Sequence, residues 1–204
     1  MITFLAIPHK QKFEFAYHCL LYYLYYLIKE MLLSTVDQTP IVYTDGGCLY
    51  NGKKHAKAAF AVYFGDNDPR NFSDSIADNP SNQKAELMAI EKALHIMLLQ
   101  ANIPPASHVV VCSDSMYSIN CLTRWYDNWV KNGWKTASKQ PVKHKDLIIR
   151  CKQSIESLNR IHQVTISFKH VFSHTLEPRQ NTFDWTLWDG NRKADQMVQN
   201  ALRK

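Results

Sequence analysis

The stretch IVYTDGGCLYNG, Ile41 to Gly52, decides the fold. Its first four residues are β-branched or aromatic and suit a buried strand, and Asp45-Gly46-Gly47 behind them reads as a turn signal. Pro40 breaks any helix arriving from the N-terminal side. Working outward, Lys57 to Gly65 (KAAFAVYFG) reads as a second strand and Phe72 to Ala77 as a third, with a turn at Asp66 to Asn71. Connections this short predict an antiparallel meander. Asn82 to Ala101 has helical periodicity, with Leu87, Ile90, Leu94 and Met97 on one stripe and Ser81 as N-cap. The run HVVVCSD from His108 predicts a strand, and the helix before it makes this a crossover to a parallel neighbour. Helical patterns continue to Asn159, Val164 to Val171 is the last strand, and a final helix is expected from about Asn191. The expected fold is α/β: a five-stranded mixed sheet, antiparallel meander plus parallel strands, flanked by helices.

At 204 residues and 46% hydrophobic, the chain can bury one main core, assigned to residues 39–204. Its 24 Lys and Arg against 18 Asp and Glu give a formal charge of +6, which favours a polyanionic partner. Five scattered cysteines, Cys19, Cys48, Cys112, Cys121 and Cys151, contain no C-x-x-C pair for zinc or redox work and fit a reducing, intracellular setting. Residues 1–38 form a separate, Tyr-rich hydrophobic extension, expected to be a helix that packs through its tyrosines. Glu14 and His18 interrupt its apolar run, which is shorter than the ~20 residues a membrane span needs. No small-x-small cleavage site follows it, so neither membrane association nor secretion is expected.

In sheets with parallel strands, sites collect at the strands' carboxyl ends. Asp45 and Asp114 each close an apolar strand there, so their carboxylates should lie side by side. Like charges this close repel unless a cation sits between them, and hard oxygen ligands suit Mg²⁺ or Mn²⁺. Glu86, early in the crossover helix, can reach the same place, and Asp195 is the fourth candidate. Taken singly, each of these acids is an ordinary turn former, helix cap or surface residue.

Together the motifs resemble type 1 ribonuclease H. The family's strand ending in T-D-G matches YTDGGCLYNG; its T-N-Q-x-A-E matches SNQKAE (Ser81 to Glu86); its strand into D-S matches CSDSMYSIN; and its G-N-x-x-A-D matches GNRKAD (Gly190 to Asp195). WYDNWVKNGWKT, from Trp125, is similar to the eukaryotic members, and the resemblance covers residues 40 to 204. It implies an endonuclease that cuts the RNA strand of RNA·DNA hybrids with two Mg²⁺ ions, Mn²⁺ substituting, and leaves 5′-phosphate and 3′-hydroxyl ends. By this likeness Asp45 bridges both metals, Glu86 and Asp114 help hold one, and Asp195 helps hold the other. His174 corresponds to the family's loop histidine, which assists proton transfer or product release. His170, within the strand run, is its rival. The interval from His174 to Asp195 is longer than usual, an insertion at about 175–189 in which Trp185 and Trp188 pack locally or touch substrate.

The same resemblance assigns the RNA 2′-hydroxyl contacts to Asn51, Asn82, Gln83 and the Cys48 backbone. Asn51-Gly52 is equally a hairpin turn. A basic protrusion at about 125–145 carries Trp125 and Trp129, which with Tyr117 would line the channel for the DNA strand; composition alone makes the tryptophans core residues. The family's phosphate pocket falls on Asn79, Ser81 and His144, a weakened set. No obligate protein partner is expected, and the chain reads as a monomer. Two alternatives stand beside this reading: the ribonuclease H portion of a retroelement polyprotein, and a hybrid-binding module without catalysis.

Overall fold

A computed structural model of the chain describes residues 39–99, 107–173 and 175–204. The N-terminal extension and its expected helix lie outside the described residues. Thr39–Lys204 forms one compact unit. Strands β1 (Ile41–Leu49), β2 (Lys57–Tyr63) and β3 (Phe72–Ile76) make the antiparallel meander, and β4 (His108–Ser113) and β5 (Thr165–His170) pair in parallel beyond β1. The order is β3-β2-β1-β4-β5, the five-stranded mixed sheet that the sequence predicts.

Alternation along β1 and β2 splits the core between the two faces of the sheet. Val42 and Val62 point to one face, where α1 (Asn82–Leu99) and α4 (Lys145–His162) bury Leu87, Ile90, Leu94, Ile148 and Leu158 against them. Tyr43 and Tyr63 point to the other, against Leu187 and Ala194 of α5 (Phe183–Leu202). Ser81 caps α1 as expected, its hydroxyl accepting the Lys84 N–H at 3.3 Å. Between β4 and α4 the chain forms α2 (Met116–Asn120), a π-helical turn at Cys121–Trp125, and α3 (Tyr126–Lys131).

Two local expectations are corrected. Asp45-Gly46-Gly47 is no turn: β1 continues through it to Leu49, paired with β2 along its length, while its parallel pairing with β4 stops at Thr44. The glycines serve close packing instead. A Cβ at Gly46 would lie 2.3 Å from the backbone of Ala85 and Glu86, and one at Gly47 would lie 2.9 Å from Val198 of α5. The second correction is the last helix, which starts at Phe183 rather than about Asn191, so residues 183–189 of the supposed insertion are helix. Thr182 caps it, accepting the Trp185 N–H at 3.1 Å, and Asp184 favours the first turn. Gly190 lies inside the helix, and the Tyr43 ring occupies the space a Cβ would need there, 2.2 Å away.

Candidate active site

Where the parallel pairing of β1 and β4 ends, Asp45 and Asp114 emerge next to each other. Gly46 lets β1 lie directly on the first turns of α1, and this brings in Glu86. The three side chains offer oxygens within 4.8 Å of one another, a spacing that one cation can span. Asp45 and Glu86 are both only 5% exposed, and the Glu86 Oε2 has no hydrogen-bond partner among the described residues. Burial, then the charges of Asp114 and Asp195, push the Asp45 carboxyl up to about 7 against the opposing pull of the Gly46 N–H. Burial, Asp45 and Asp114 raise Glu86 well above the usual glutamate range. Buried carboxylates that repel, with an oxygen left unpartnered, fit a divalent cation that would neutralise them.

Asp195 lies in the middle of α5 and outside that trio. It faces Asp114 across a cleft of about 170 Å³, lined also by Ser173, Thr175, Trp188, Asn191 and Arg192. Asp195 nevertheless feels the cluster, since its charge contributes to the rise at Asp45. His170 closes β5, and its Nε2 lies 3.0 Å from the Asp114 carbonyl oxygen, beside the site but engaged with backbone. His174 lies outside the described residues. Trp185 and Trp188 pack locally: their indole N–H groups donate to Glu177 at 3.0 Å and to the Thr175 carbonyl at 3.3 Å, fastening the loop to α5.

Around the carboxylates the candidate contact residues fall into two groups. Asn51, on the β1–β2 turn, accepts the Asn82 N–H at 3.1 Å, so the turn and the head of α1 are joined; Asn82 and Gln83 are exposed there and Cys48 is half-buried. Gln83 also borders a groove of about 700 Å³ walled by Tyr117, Trp125, Trp129, Thr136 and Lys143. Tyr117 and Trp125 meet edge-on at 5.9 Å between ring centres, and Trp125 and Trp129 at 5.5 Å. Trp129 is buried against the main core, as composition predicts, and also borders the groove. The sequence missed one cation near the expected phosphate pocket, Lys84, whereas Lys143 is one of the lysines of the basic protrusion read as carrying charge for phosphates. Lys84 and Lys143 lie close enough to His144 to add to burial in lowering its pKa. Nothing local in the sequence joins Lys84 to His144, which lie on different helices.

The RNase H family profile matches residues 37–203. The chain belongs to the type 1 ribonuclease H family. A relative named ribonuclease H from Schizosaccharomyces pombe is 36% identical over 162 residues, covering 79% of this chain and 52% of that protein. Ribonuclease H from Alcanivorax borkumensis is 33% identical over 162 residues, covering 79% of this chain and 90% of that one. The chain thus spans about half the length of the S. pombe relative and most of the bacterial one. The solved LC11-RNase H1 in complex with an RNA/DNA hybrid shares the fold, with a TM-score of 0.51 and 20% identity over 80% of this chain and 96% of that one. Among the described residues, no helix is long and apolar enough to cross a membrane.

Proposed function

We propose that this chain hydrolyses the RNA strand of RNA·DNA hybrids endonucleolytically, with two Mg²⁺ ions held by Asp45, Glu86, Asp114 and Asp195. The observation that carries the reading is the trio of carboxylates within 4.8 Å, two of them buried and raised by that burial and then by the neighbouring carboxylates. Such cations polarise a phosphate oxygen and make a bound water nucleophilic at neutral pH; Mn²⁺ can replace Mg²⁺. The chain's own part is to hold the oxygens in register. Asp45 is central, steadied by the Gly46 N–H, and Glu86 and Asp114 flank it. Asp195 holds the second ion from α5, and His174 assists proton transfer or product release. Products carry 5′-phosphate and 3′-hydroxyl ends.

The RNA strand is recognised at its 2′-hydroxyls by Asn51, Asn82, Gln83 and the Cys48 backbone, groups that both donate and accept. The DNA strand follows the groove of Tyr117, Trp125 and Trp129 to a phosphate contact at Ser81 and His144, with Lys84 and Lys143 supplying the charge. The enzyme acts as a monomer without an obligate protein partner, and its unpaired Cys48, Cys112, Cys121 and Cys151 suit an intracellular compartment. Likeness in family motifs, and the hybrid bound to LC11-RNase H1, support the substrate assignment.

The test is cleavage of a hybrid labelled on its RNA strand, with Mg²⁺, by wild type and Asp45→Asn. The wild type should cut RNA only within the hybrid, and the variant should lose at least about a thousandfold of the rate, as loss of a charge-stabilising group does. Hybrid binding by the wild type without metal-dependent cuts would make this a binding module and overturn the proposal.

A further inference from the structure

The cleft between Asp114 and Asp195 is bordered by Asn191, whose buried amide the four carboxylates do not explain. Trp188, Asn191 and Asp195 follow one another at spacings of three and four residues and so share one face of α5, the face that walls the cleft. Asn191 is 5% exposed, and its Oδ1 has no hydrogen-bond partner among the described residues. The groups around it are matched. The Trp188 N–H donates to the Thr175 carbonyl at 3.3 Å, Arg192 donates to Asp189 at 2.6 Å, and Asp195 accepts from Gln199 at 3.3 Å.

A buried amide oxygen without a donor is costly, and such groups persist where a ligand or an ordered water completes them. Asn191 precedes Asp195 by one helical turn. Asn191 and Asp195 thereby border the same small space, next to Asp114. Hydrated divalent cations favour this combination: a carboxylate binds the ion, and an uncharged oxygen accepts from one of its waters without adding to the repulsion among the acids.

We propose that Asn191 is a positioning residue for the cation held at Asp195, its Oδ1 accepting a hydrogen bond from a water on that ion. This rests on the two-cation reading above. The amide fixes the orientation of the water shell relative to Asp114 and so couples the rotation of α5 to the geometry of the second ion.

Mn²⁺ titrated calorimetrically into metal-free wild type, Asn191→Leu, Asn191→Asp and Asp45→Asn tests this, with thermal unfolding in chelator as the check on folding. Wild type should bind two ions. Asn191→Leu should retain the tighter site and weaken the other at least tenfold, and Asn191→Asp, of nearly the same shape but anionic, should bind there at least as tightly as wild type. In cleavage, Asn191→Leu should need correspondingly more Mg²⁺ for half-maximal rate yet recover kcat at saturation. Unchanged Mn²⁺ affinities in both Asn191 variants, with only a lower melting temperature, would make the residue a packing amide and overturn the proposal. If Asn191→Leu does not fold, weakened binding at that site in Asn191→Asp overturns it. A wild type that binds no Mn²⁺ would overturn the cation reading itself and this inference with it, whereas two-ion binding lost in Asp45→Asn but untouched in the Asn191 variants sinks Asn191 alone.

Discussion

Asp45, with a carboxyl pushed up to about 7 from an ordinary 3.8, keeps a proton in the folded state that the unfolded chain releases near pH 4. Its contribution to stability is therefore fully present below about pH 4 and lost as the pH rises through about 7. Glu86, raised by its own burial and then by Asp45 and Asp114, acts in the same direction. In chelator, moving from pH 5.5 to pH 8 should lower the melting temperature by roughly 3 °C or more, given about 2–4 °C per kcal/mol for a domain of this size. Mg²⁺ should restore more at pH 8 than at pH 5.5, because a protonated carboxyl does not ligate. Asp45→Asn should flatten the metal-free profile, and an equally steep profile in that variant would refute the assignment. Gly46→Ala acts at the same scale. Its methyl group would press on the Ala85 and Glu86 backbone, so denaturant unfolding should show a loss of at least about 1–3 kcal/mol. The folded remainder should cleave more than tenfold slower. The positions of Asp45, Glu86 and Asp114 were legible in the sequence because each sits at a defined point of a strand or helix pattern. The work of Gly46 was not, since a glycine chosen for backbone contact looks the same as one chosen for a turn.

At the scale of the element, α5 shows why local signals misplace a boundary. Asp189-Gly190 has the composition of a break, yet Tyr43 packs its ring where a Gly190 Cβ would be and donates its hydroxyl to the Thr186 carbonyl at 3.0 Å. A contact between β1 and α5, about 150 residues apart in sequence, overrides the propensity. Tyr43→Phe should cost about 1 kcal/mol, the value of one lost hydrogen bond, and leave the fold intact. Gly190→Ala should cost more, and adding Tyr43→Ala should relieve part of that loss, giving a non-additive double-mutant cycle in urea unfolding. Additive losses would mean that the two residues do not share the contact. The loop from Thr175 to Asn181 was hidden for a related reason: the indole bonds that fasten it to α5 reach back from Trp185 and Trp188, and no local periodicity announces them.

For the whole molecule, the meander and the parallel crossover could be read from strand periodicity and connection length, because short links force antiparallel neighbours and a helical link forces a parallel one, whereas the place of β5 beyond β4 came only with the structure. Grooves are different. The wall formed by Gln83, Tyr117, Trp125 and Lys143, and the meeting of Lys84 with His144, assemble from segments whose spacing in sequence says nothing of their spacing in space. Charge at this scale predicts a salt effect. If Lys143 meets a phosphate, Lys143→Gln should weaken hybrid binding similarly for all sequences and reduce the slope of log K against log salt by about 1. A slope equal to wild type would remove Lys143 from the interface.

The π-helical turn at Cys121–Trp125 has a consequence for how that groove can change. Eight residues separate Tyr117 from Trp125, and over an unbroken α-helix they would point about 80° apart. The wider turn takes up part of that excess, and the rings meet at 5.9 Å. It works as a phase shifter between two short helices, setting the angular offset of one aromatic row against the next without altering any side chain. Removing one residue within the turn would restore the ordinary period and leave seven steps from Tyr117 to Trp125, about 20° short of two full turns, so Trp125 and Trp129 would keep nearly their present facing. Groove shape is thereby insulated from a one-residue change of length in this turn, and Asp114, six residues before α2 ends at Asn120, keeps its place at the end of β4.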